Sequence, residues 1–273
     1  MTECSHDCAR CAQNCADRTQ ESVLACLNPK ASVQKSIAVV SGKGGVGKSL
    51  VTALLASAVQ RAQKQSAVLD ADITGPSVPK IFGVNQRAQG NDDGIFPAVS
   101  KTGVQIMSVN LLLENATDPV IWRGPILAGT VKQFWSEVLW NNVDLMFLDM
   151  PPGTGDVALT VFQSLPIDGI VVVTSPQELV SMIVEKAVKM ADMMKVPVLG
   201  LVENMSYFEC PSCHEKHFIY GKSHLEEEAE KYKIAQTLRL PTDSRLAALC
   251  DEGRIEEYRN QDVEEFTEKL FVS

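Results

Sequence analysis

Ser41-Gly42-Lys43-Gly44-Gly45-Val46-Gly47-Lys48-Ser49 is the stretch that decides the fold. It follows an apolar run at residues 36–40 and matches the phosphate-binding pattern G-x-x-x-x-G-K-S/T. Glycines in this pattern let backbone N–H groups wrap a phosphate chain at the start of a helix. Lys48 then neutralises the β- and γ-phosphates, and the Ser49 hydroxyl binds Mg²⁺. A simple glycine-rich turn is the alternative, but the complete pattern between a strand and a helix favours a nucleotide site.

Outward from this loop, β-branched runs alternate with stretches of helical apolar spacing. The runs predict buried strands at residues 36–40, 67–70, 104–109, 143–149, 169–174 and 198–202. The spacing predicts helices at residues 50–62, 126–140, 156–165 and 178–195. Such alternation is typical of the α/β class, here a doubly wound, mainly parallel sheet with helices on both faces. Ligands of such sheets bind at the carboxyl ends of the strands.

The chain divides unevenly into two predicted parts. Residues 1–30 are polar and cysteine-rich, with too few large apolar side chains for a core, and we predict that they form a metal-binding segment. Residues 31–273 carry the strand–helix alternation and form the predicted P-loop ATPase domain.

Charge and hydropathy exclude two classes of partner. Lys and Arg number 25 among the 273 residues, against 34 Asp and Glu, a formal net charge of −9. Proteins that grip nucleic acid concentrate basic residues, so we expect no nucleic acid partner. The apolar runs fall far short of the ~20 residues of a membrane span, and residues 1–7 lack the basic start of a secretory signal. We therefore expect a cytoplasmic protein with no membrane partner.

Two acidic elements favour hydrolysis of the bound nucleotide. Asp149 ends an apolar strand, where a carboxylate contacts Mg²⁺ through water. The chain continues as Met150-Pro151-Pro152-Gly153-Thr154-Gly155-Asp156, a stiff turn suited to sensing a γ-phosphate. Asp70 and Asp72 end the second strand at the same edge of the sheet. For each of these, a solvated loop carboxylate is the alternative, but together with the phosphate-binding loop they favour hydrolysis.

The additional lysine, Lys43, makes the loop G-K-G-G-V-G-K-S. This loop resembles the deviant Walker A motif of the superfamily that contains nitrogenase iron protein and the cell-division and partition ATPases. Further segments resemble the Mrp-type iron–sulfur cluster carrier ATPases. They are D-A-D-I-T-G-P-S at 70–77, W-R-G-P at 122–125, the turn at 149–156, E-N-M-S at 203–206 and C-P-S-C at 210–213.

The resemblance implies roles for four residues. It implies that Lys43 reaches across an ATP-dependent homodimer to the partner's nucleotide, and that Asp72 is the switch I aspartate near the attacking water. It implies that Asp149 is the Walker B carboxylate. Asn204 lies where the superfamily reads the adenine base, which implies ATP, although a polar residue ending a strand is the alternative for Asn204.

Cys210 and Cys213 form a C-x-x-C pair whose two thiolates can bind one metal centre. His214 and His217 lie close by, so a Cys₂His₂ zinc site within one chain is one alternative. A redox dithiol is another, although it normally opens a helix of a thioredoxin-like unit. The resemblance implies an iron–sulfur site, because family members place this pair at a twofold interface where two subunits hold a bridging [4Fe–4S] cluster.

Cys4, Cys8, Cys11 and Cys15 form a second group of thiols near the start of the chain. In a reducing cytosol such clusters are more often metal ligands than disulfides. Four cysteines suffice for a closed Cys₄ site that holds zinc or a second iron–sulfur cluster. Some relatives carry a stable cluster on a similar extension, with wider spacing than these four residues have.

These features together predict a homodimeric ATPase that carries a [4Fe–4S] cluster and transfers it to apoproteins. ATP binding and hydrolysis would change the dimer geometry and so the exposure of the cluster. The chief rival is a positioning switch of the partition or division type, but such proteins need a basic amphipathic tail or surface, and residues 262–270 are acidic. A redox enzyme like nitrogenase iron protein, which uses similar parts to transfer electrons, is the third interpretation.

Overall fold

The structure is a computed structural model that describes residues 24–272, apart from residues 74, 76, 114–123, 154 and 177–179. The strands are β1 Val33–Ser41, β2 Ser66–Asp70, β3 Gly90–Asn91, β4 Gly94–Ile95, β5 Ala98–Val99, β6 Gln105–Met107, β7 Val143–Asp149, β8 Gly169–Thr174, β9 Val198–Glu209, β10 Lys216–His217 and β11 Thr237–Pro241. The helices are α1 Lys48–Arg61, α2 Val78–Ile81, α3 Gly124–Glu137, α4 Asp156–Ser164, α5 Val180–Met194, α6 Leu225–Lys231, α7 Ser244–Asp251 and α8 Gln261–Val272. Within the described residues, each helix is too short or too polar to cross a membrane.

The strands assemble into a mainly parallel sheet in the order β10-β9-β8-β1-β7-β2-β6-β5, and β11 also pairs with β9. All pairs in this sheet are parallel except β5 with β6 and β9 with β10. The register places Asp149, at the end of β7, between Val39 of β1 and Asp70 of β2. The carboxyl ends of these three strands therefore meet at one edge, where the sequence predicts the nucleotide site.

Alternate residues of the sheet contribute to two apolar clusters, one on each face. On one face, the fully buried Ala38 and Leu148 pack with apolar residues of α3, α4, α5 and α6. On the other face, Val39 and Phe147 pack with α1, α2, α7 and α8. Helices thus cover both faces of the sheet, which confirms the predicted doubly wound α/β class.

The observed elements differ from the predicted ones mainly at their ends. The strand predicted at 104–109 is only Gln105–Met107, because the chain turns into a 3₁₀ helix at Val109–Leu111. The helix predicted at 126–140 is Gly124–Glu137. The strand predicted at 198–202 continues to Glu209, and β11 and helices α6 to α8 have no counterpart in the predicted pattern.

Residues just before β1 pack onto the domain that follows. The Ala25 N–H donates to the Ser164 carbonyl at 2.7 Å, and Trp135 Nε1 donates to the Ala25 carbonyl at 3.2 Å. The buried Asn28 side chain donates to a carbonyl in the β3–β4 turn at 3.0 Å. These contacts attach the described residues before β1 to the α/β domain that follows. The domain boundary after residue 30 stays a prediction, and a truncation that tests it has to spare these contacts.

Gly200 of β9 offers a test of how α8 packs on the sheet. A Cβ atom at Gly200 would lie 2.5 Å from Cζ of Phe266, a core residue of α8. We expect Gly200→Ala to displace α8 and to lower the free energy of unfolding by about 1–3 kcal/mol. Gly129 in α3 faces open space, so Gly129→Ala should raise the free energy of unfolding by about 0.5–1 kcal/mol. Urea unfolding measures both changes, and a shift of the same sign in both variants would contradict this packing.

Candidate functional site

The phosphate-binding loop joins β1 to α1 at the carboxyl edge of the sheet. Gly45 and Gly47 both have φ of +82°, a conformation that residues with side chains rarely adopt. Gly47 is the N-cap of α1, and no side-chain cap bonds the start of this helix in the described structure. The first N–H groups of α1 and the positive end of its dipole are therefore free to bind an anion.

A cavity of about 340 Å³ lies against this loop. Residues 43–49 line the cavity together with Asp72, Ile81 and Cys250. The volume of the cavity is in the range of small-molecule sites. Gly42 does not line the cavity but packs against Ile183 of α5. The structure thus gathers all of the predicted loop residues except Gly42 around one cavity.

Asp149 lies at the centre of the site and is completely buried. Lys48 Nζ lies 2.8 Å from Asp149 Oδ1, and the Ser49 hydroxyl donates to Oδ2 at 2.5 Å. The Lys48 side chain is itself only 6% exposed, so this ion pair is formed inside the protein. The predicted phosphate lysine, magnesium serine and Walker B carboxylate therefore form one bonded group.

Thr52 is a member of this group that the sequence motifs do not identify. Its hydroxyl donates to Asp149 Oδ1 at 3.0 Å and also lies 3.0 Å from the Lys48 carbonyl. Thr52 lies one helical turn after Lys48 and so projects from the same face of α1. The spacing of four residues from Lys48 could have identified Thr52 as part of the site, because buried polar side chains are nearly always hydrogen-bonded and Asp149 is the buried carboxylate on this face.

The two aspartates after β2 have different surroundings. The Asp72 side chain is 15% exposed, lines the cavity and lies with Oδ2 3.6 Å from Lys48 Nζ. Asp70 is completely buried and does not line the cavity. Burial raises the pKa of the Asp70 carboxyl well above its ordinary value, and the negative charge of Asp149 raises it further. Of these two aspartates, Asp72 is therefore the one that could contact a nucleotide bound in the cavity.

The backbone of Lys43 is held by the side chain of Ser41. The Ser41 hydroxyl donates to the Lys43 carbonyl at 3.0 Å, which fixes the turn that carries the lysine. The side chain of Lys43 is partly exposed and contributes to the cavity wall. Lys43 is therefore a partly exposed residue of the cavity wall.

Asn204 of β9 reaches the same loop from the opposite side. Its side chain is buried, and its Nδ2 donates to the Val46 carbonyl at 2.9 Å. A Cβ atom at Gly47 would lie 2.2 Å from this Nδ2, so the side chain is packed directly on the loop. The predicted adenine-reading residue therefore contacts the nucleotide loop.

An irregularity in β9 aims Asn204 at the loop. Met205 has φ of +57° within the strand, and the pairing with β11 shifts register in this region, as in a β-bulge. The Ser206 hydroxyl donates to Oε1 of the buried Glu203 at 2.6 Å, which closes the bulge. Bulges of this kind redirect side chains next to functional sites.

Cys210 and Cys213 lie in the turn that joins β9 to β10, at the tip of a short antiparallel hairpin. The Cys210 N–H donates to the Glu215 carbonyl and the His214 N–H donates to the Cys210 carbonyl, at 3.0 and 2.9 Å. Hydrogen bonds from the Cys213 and Ser212 backbone lower the pKa of the Cys210 thiol. Cys213 is exposed and Cys210 partly so, which makes the pair accessible to an incoming metal centre.

The structure does not assemble the Cys₂His₂ alternative from the residues it describes. His214 Nδ1 lies 3.0 Å from Glu209 Oε1 on the protein surface. Within the described ranges, no group of three or more His, Cys, Asp or Glu side chains is placed to hold a metal ion. Cys210 and Cys213 are therefore two candidate thiol ligands in the described hairpin.

Several residues singled out from the sequence lie outside the described residues. They are Cys4, Cys8, Cys11 and Cys15, together with Thr74, Pro76, Trp122, Arg123 and Thr154. The other two cysteines are separate from the thiol pair, since Cys26 is exposed and Cys250 lines the nucleotide cavity.

Comparison with known proteins identifies relatives along nearly the whole chain. Residues 32–272 match the family model described as ParA, NUBPL iron-transfer P-loop NTPase. An iron-sulfur cluster carrier protein of Methanocaldococcus jannaschii is 40% identical over 260 residues, covering 93% of this chain and 90% of that protein. Another from Clostridium perfringens is 41% identical over 267 residues, covering 92% of this chain and 94% of that protein.

Solved structures agree with this result. A nucleotide-binding protein from Archaeoglobus fulgidus, in complex with ADP, has a TM-score of 0.79 at 43% identity and covers 86% of this chain and 92% of its own. MinD cell division protein from Aquifex aeolicus has a TM-score of 0.61 at 17% identity, covering 88% and 97%, and so shares the fold. The predicted Mrp-type resemblance is confirmed, and this chain belongs to the NUBPL iron-transfer P-loop NTPases of the ParA group.

Proposed function

We propose that this protein is a homodimeric, ATP-hydrolysing carrier that holds a [4Fe–4S] cluster as cargo and delivers it to apoproteins. One observation carries the proposal: strand β9 brings Asn204 to the phosphate-binding loop and ends directly before Cys210 of the accessible thiol pair. A nucleotide site and a two-thiol site on the same strand fit a carrier whose cargo site responds to ATP. The relatives named as iron-sulfur cluster carrier proteins support the same function.

ATP with Mg²⁺ is the nucleotide that fits the loop. Ser49 and Asp149 offer oxygen atoms 2.5 Å apart, and Mg²⁺ prefers oxygen ligands. The ion, when bound there, would neutralise charge on the β- and γ-phosphates. Lys48 supplies a further positive charge at that place, and the N–H groups of the loop bind phosphate oxygens. We assign the Asn204 side chain to the adenine base.

Asp72 is the residue we assign to the attacking water. Its carboxylate lines the cavity near Lys48, so it can orient a water molecule toward a γ-phosphate bound on the loop. As the water oxygen attacks phosphorus, the bond to the β-phosphate oxygen breaks and the water proton passes to Asp72 or to a phosphate oxygen. Lys48 stabilises the charge that develops on the leaving oxygen.

A homodimer accounts for two incomplete features of the chain. Lys43 is a partly exposed residue in the wall of its own cavity, from which it can reach a nucleotide bound to a second copy. Cys210 and Cys213 supply two of the four thiolates that a [4Fe–4S] cluster commonly takes. The same pair from a second copy across a twofold axis completes the set. A cluster held between two exposed hairpins has a face open to a recipient.

The N-terminal cysteines and the location complete the proposal. We assign Cys4, Cys8, Cys11 and Cys15 to a second metal site, an iron–sulfur cluster in preference to zinc, because four clustered thiols suffice for either. The four cysteines that the structure describes are free thiols, which is compatible with a reducing compartment and supports a cytoplasmic location.

Lys48 and Lys43 should have separable effects on the ATPase. Lys48→Ala should lower kcat at least about 100-fold, because the phosphates lose their counter-charge in the transition state. Lys43→Ala should also lose hydrolysis yet keep nucleotide binding, since it acts on the partner's nucleotide. Phosphate release measures kcat, and titration with a fluorescent ATP analogue measures binding.

Lys64→Ala is the matched control, because Lys64 is an exposed lysine just after α1. It should hydrolyse ATP at the wild-type rate. Thermal melting of all three variants separates lost chemistry from lost folding, since Asp149 is buried without a cation in Lys48→Ala. Near wild-type turnover of Lys43→Ala would show that this lysine does not act across a dimer.

Either Cys210→Ser or Cys213→Ser should abolish the transferable cluster. Each change removes two of the four thiolates per dimer, whereas ATP binding at the loop should persist. Anaerobic reconstitution followed by iron and acid-labile sulfide analysis and Mössbauer spectroscopy measures the cluster. Cys26→Ser, which changes an exposed cysteine outside the pair, should keep it. One zinc ion per chain without sulfide, lost equally in His214→Ala, would replace the carrier proposal by a monomeric zinc site.

Two truncations separate the N-terminal metal site from the domain. Removing residues 1–23 should leave a folded ATPase that has lost part of its metal but keeps the cluster at Cys210 and Cys213. Removing residues 1–30 should also lower the melting temperature, because the contacts of Ala25 and Asn28 are lost. Metal analysis and thermal melting check both. Collapse of the shorter truncation would show that the N-terminal site is structural.

A further inference from the structure

Asp70 has no part in the proposed chemistry, although it lies directly behind the site. It ends β2, is completely buried and does not line the nucleotide cavity. Its Oδ1 accepts a hydrogen bond from the backbone N–H of Asp72 at 3.2 Å. The Asp70 carboxyl is therefore bound to the backbone of the residue that we assign to the attacking water.

Ser108 binds the other oxygen of this carboxyl. It follows β6, and because Met107 of β6 pairs with Leu69 of β2, Ser108 lies beside Asp70 across the sheet. Its hydroxyl donates to Asp70 Oδ2 at 3.0 Å, and both side chains are completely buried. A carboxyl bound through one oxygen can turn about its Cβ–Cγ bond, whereas a bond to each oxygen fixes its plane.

Asp72 lies on a short connection between β2 and α2, outside any helix or strand. Two backbone N–H groups of this connection bond to the end of the sheet. The Ala71 N–H donates to the Asp149 carbonyl at 2.9 Å, and the Asp72 N–H donates to the side-chain Oδ1 of Asp70. The second of these bonds depends on the orientation of the Asp70 carboxyl, which Ser108 fixes. A change at Ser108 is thereby passed to the Asp72 backbone without any contact with the nucleotide cavity.

We propose that Ser108 is a positioning residue for ATP hydrolysis, which acts through Asp70 to hold the Asp72 carboxylate beside Lys48. The inference rests on the proposed ATPase function. Since neither Ser108 nor Asp70 lines the cavity, this pair affects the rate of hydrolysis and leaves ATP binding unchanged. Misplacing a reacting group by about 1 Å can slow a reaction by about 100-fold, so a small loss of order at Asp72 is measurable.

Ser108→Ala tests this role, with Ser66→Ala as the matched control. Ser66 is also completely buried, and its hydroxyl donates to the Ala56 carbonyl at 2.9 Å, away from the cavity. We expect Ser108→Ala to lower kcat by between about 10- and 100-fold with KM for ATP within about twofold of wild type. Ser66→Ala should lower the melting temperature and keep kcat. Phosphate release at saturating and limiting ATP gives both constants.

A double-mutant cycle with Asp70→Asn shows whether Ser108 acts through Asp70. Ser108→Ala should add no further loss of kcat in the Asp70→Asn background, whereas independent, additive losses would overturn the inference. Equal kcat in Ser108→Ala and Ser66→Ala would overturn it as well, even where Asp70→Asn does not fold. A wild-type protein that does not hydrolyse ATP would instead overturn the proposed function, so the two failures are distinguishable.

Discussion

The buried carboxylate of Asp149 is the group on which the nucleotide site depends. Three donors of α1, on Lys48, Ser49 and Thr52, converge on this completely buried side chain. Breaking such a buried pair by removing one partner typically costs about 3–5 kcal/mol, because the remaining charge stays unpaired. Since β7 lies between β1 and β2, the same residue joins the phosphate-binding loop to the connection that carries Asp72. Asp149 therefore fixes helix α1, the phosphate-binding loop and the connection that carries Asp72 relative to one another.

Asp70 is a third, completely buried carboxyl among the charges around Lys48. Asp70, Asp72 and Asp149 all act on one another or on Lys48, and burial raises the pKa of the Asp70 carboxyl well above its ordinary value. The Ser108 hydroxyl can donate to an ionised carboxylate or accept from a protonated one, so the bond that fixes Asp70 persists in both states.

The sequence was sufficient for the features that depend on local pattern. The phosphate-binding loop and the central strands follow from glycine spacing and β-branched runs, and they lie where predicted. The continuation of β9 to Glu209 was not predictable from the sequence, because the strand contains a bulge at Met205. The buried Glu203 accepts a hydrogen bond within this bulge, and no turn-forming residue in the sequence marks its position. Asp70 and Asp72 are two residues apart and alike in sequence. Only their burial, which tertiary packing decides, separates them.

The position of the thiol pair follows from how β9 leaves the sheet. Its pairing with β8 ends at Glu203 and its pairing with β11 ends at Tyr207, so beyond that point β10 is its neighbour in the described sheet. Cys210 follows Asn204 by six positions, which is about 20 Å of extended chain. A strand of that length, bonded to the Val46 carbonyl through Asn204, fixes the cysteine turn relative to the nucleotide loop. The bulge at Met205 lies between Asn204 and Cys210 and sets the direction in which the strand continues toward the cysteine turn. The cysteine turn is therefore placed by β9 and depends on the packing of the nucleotide loop.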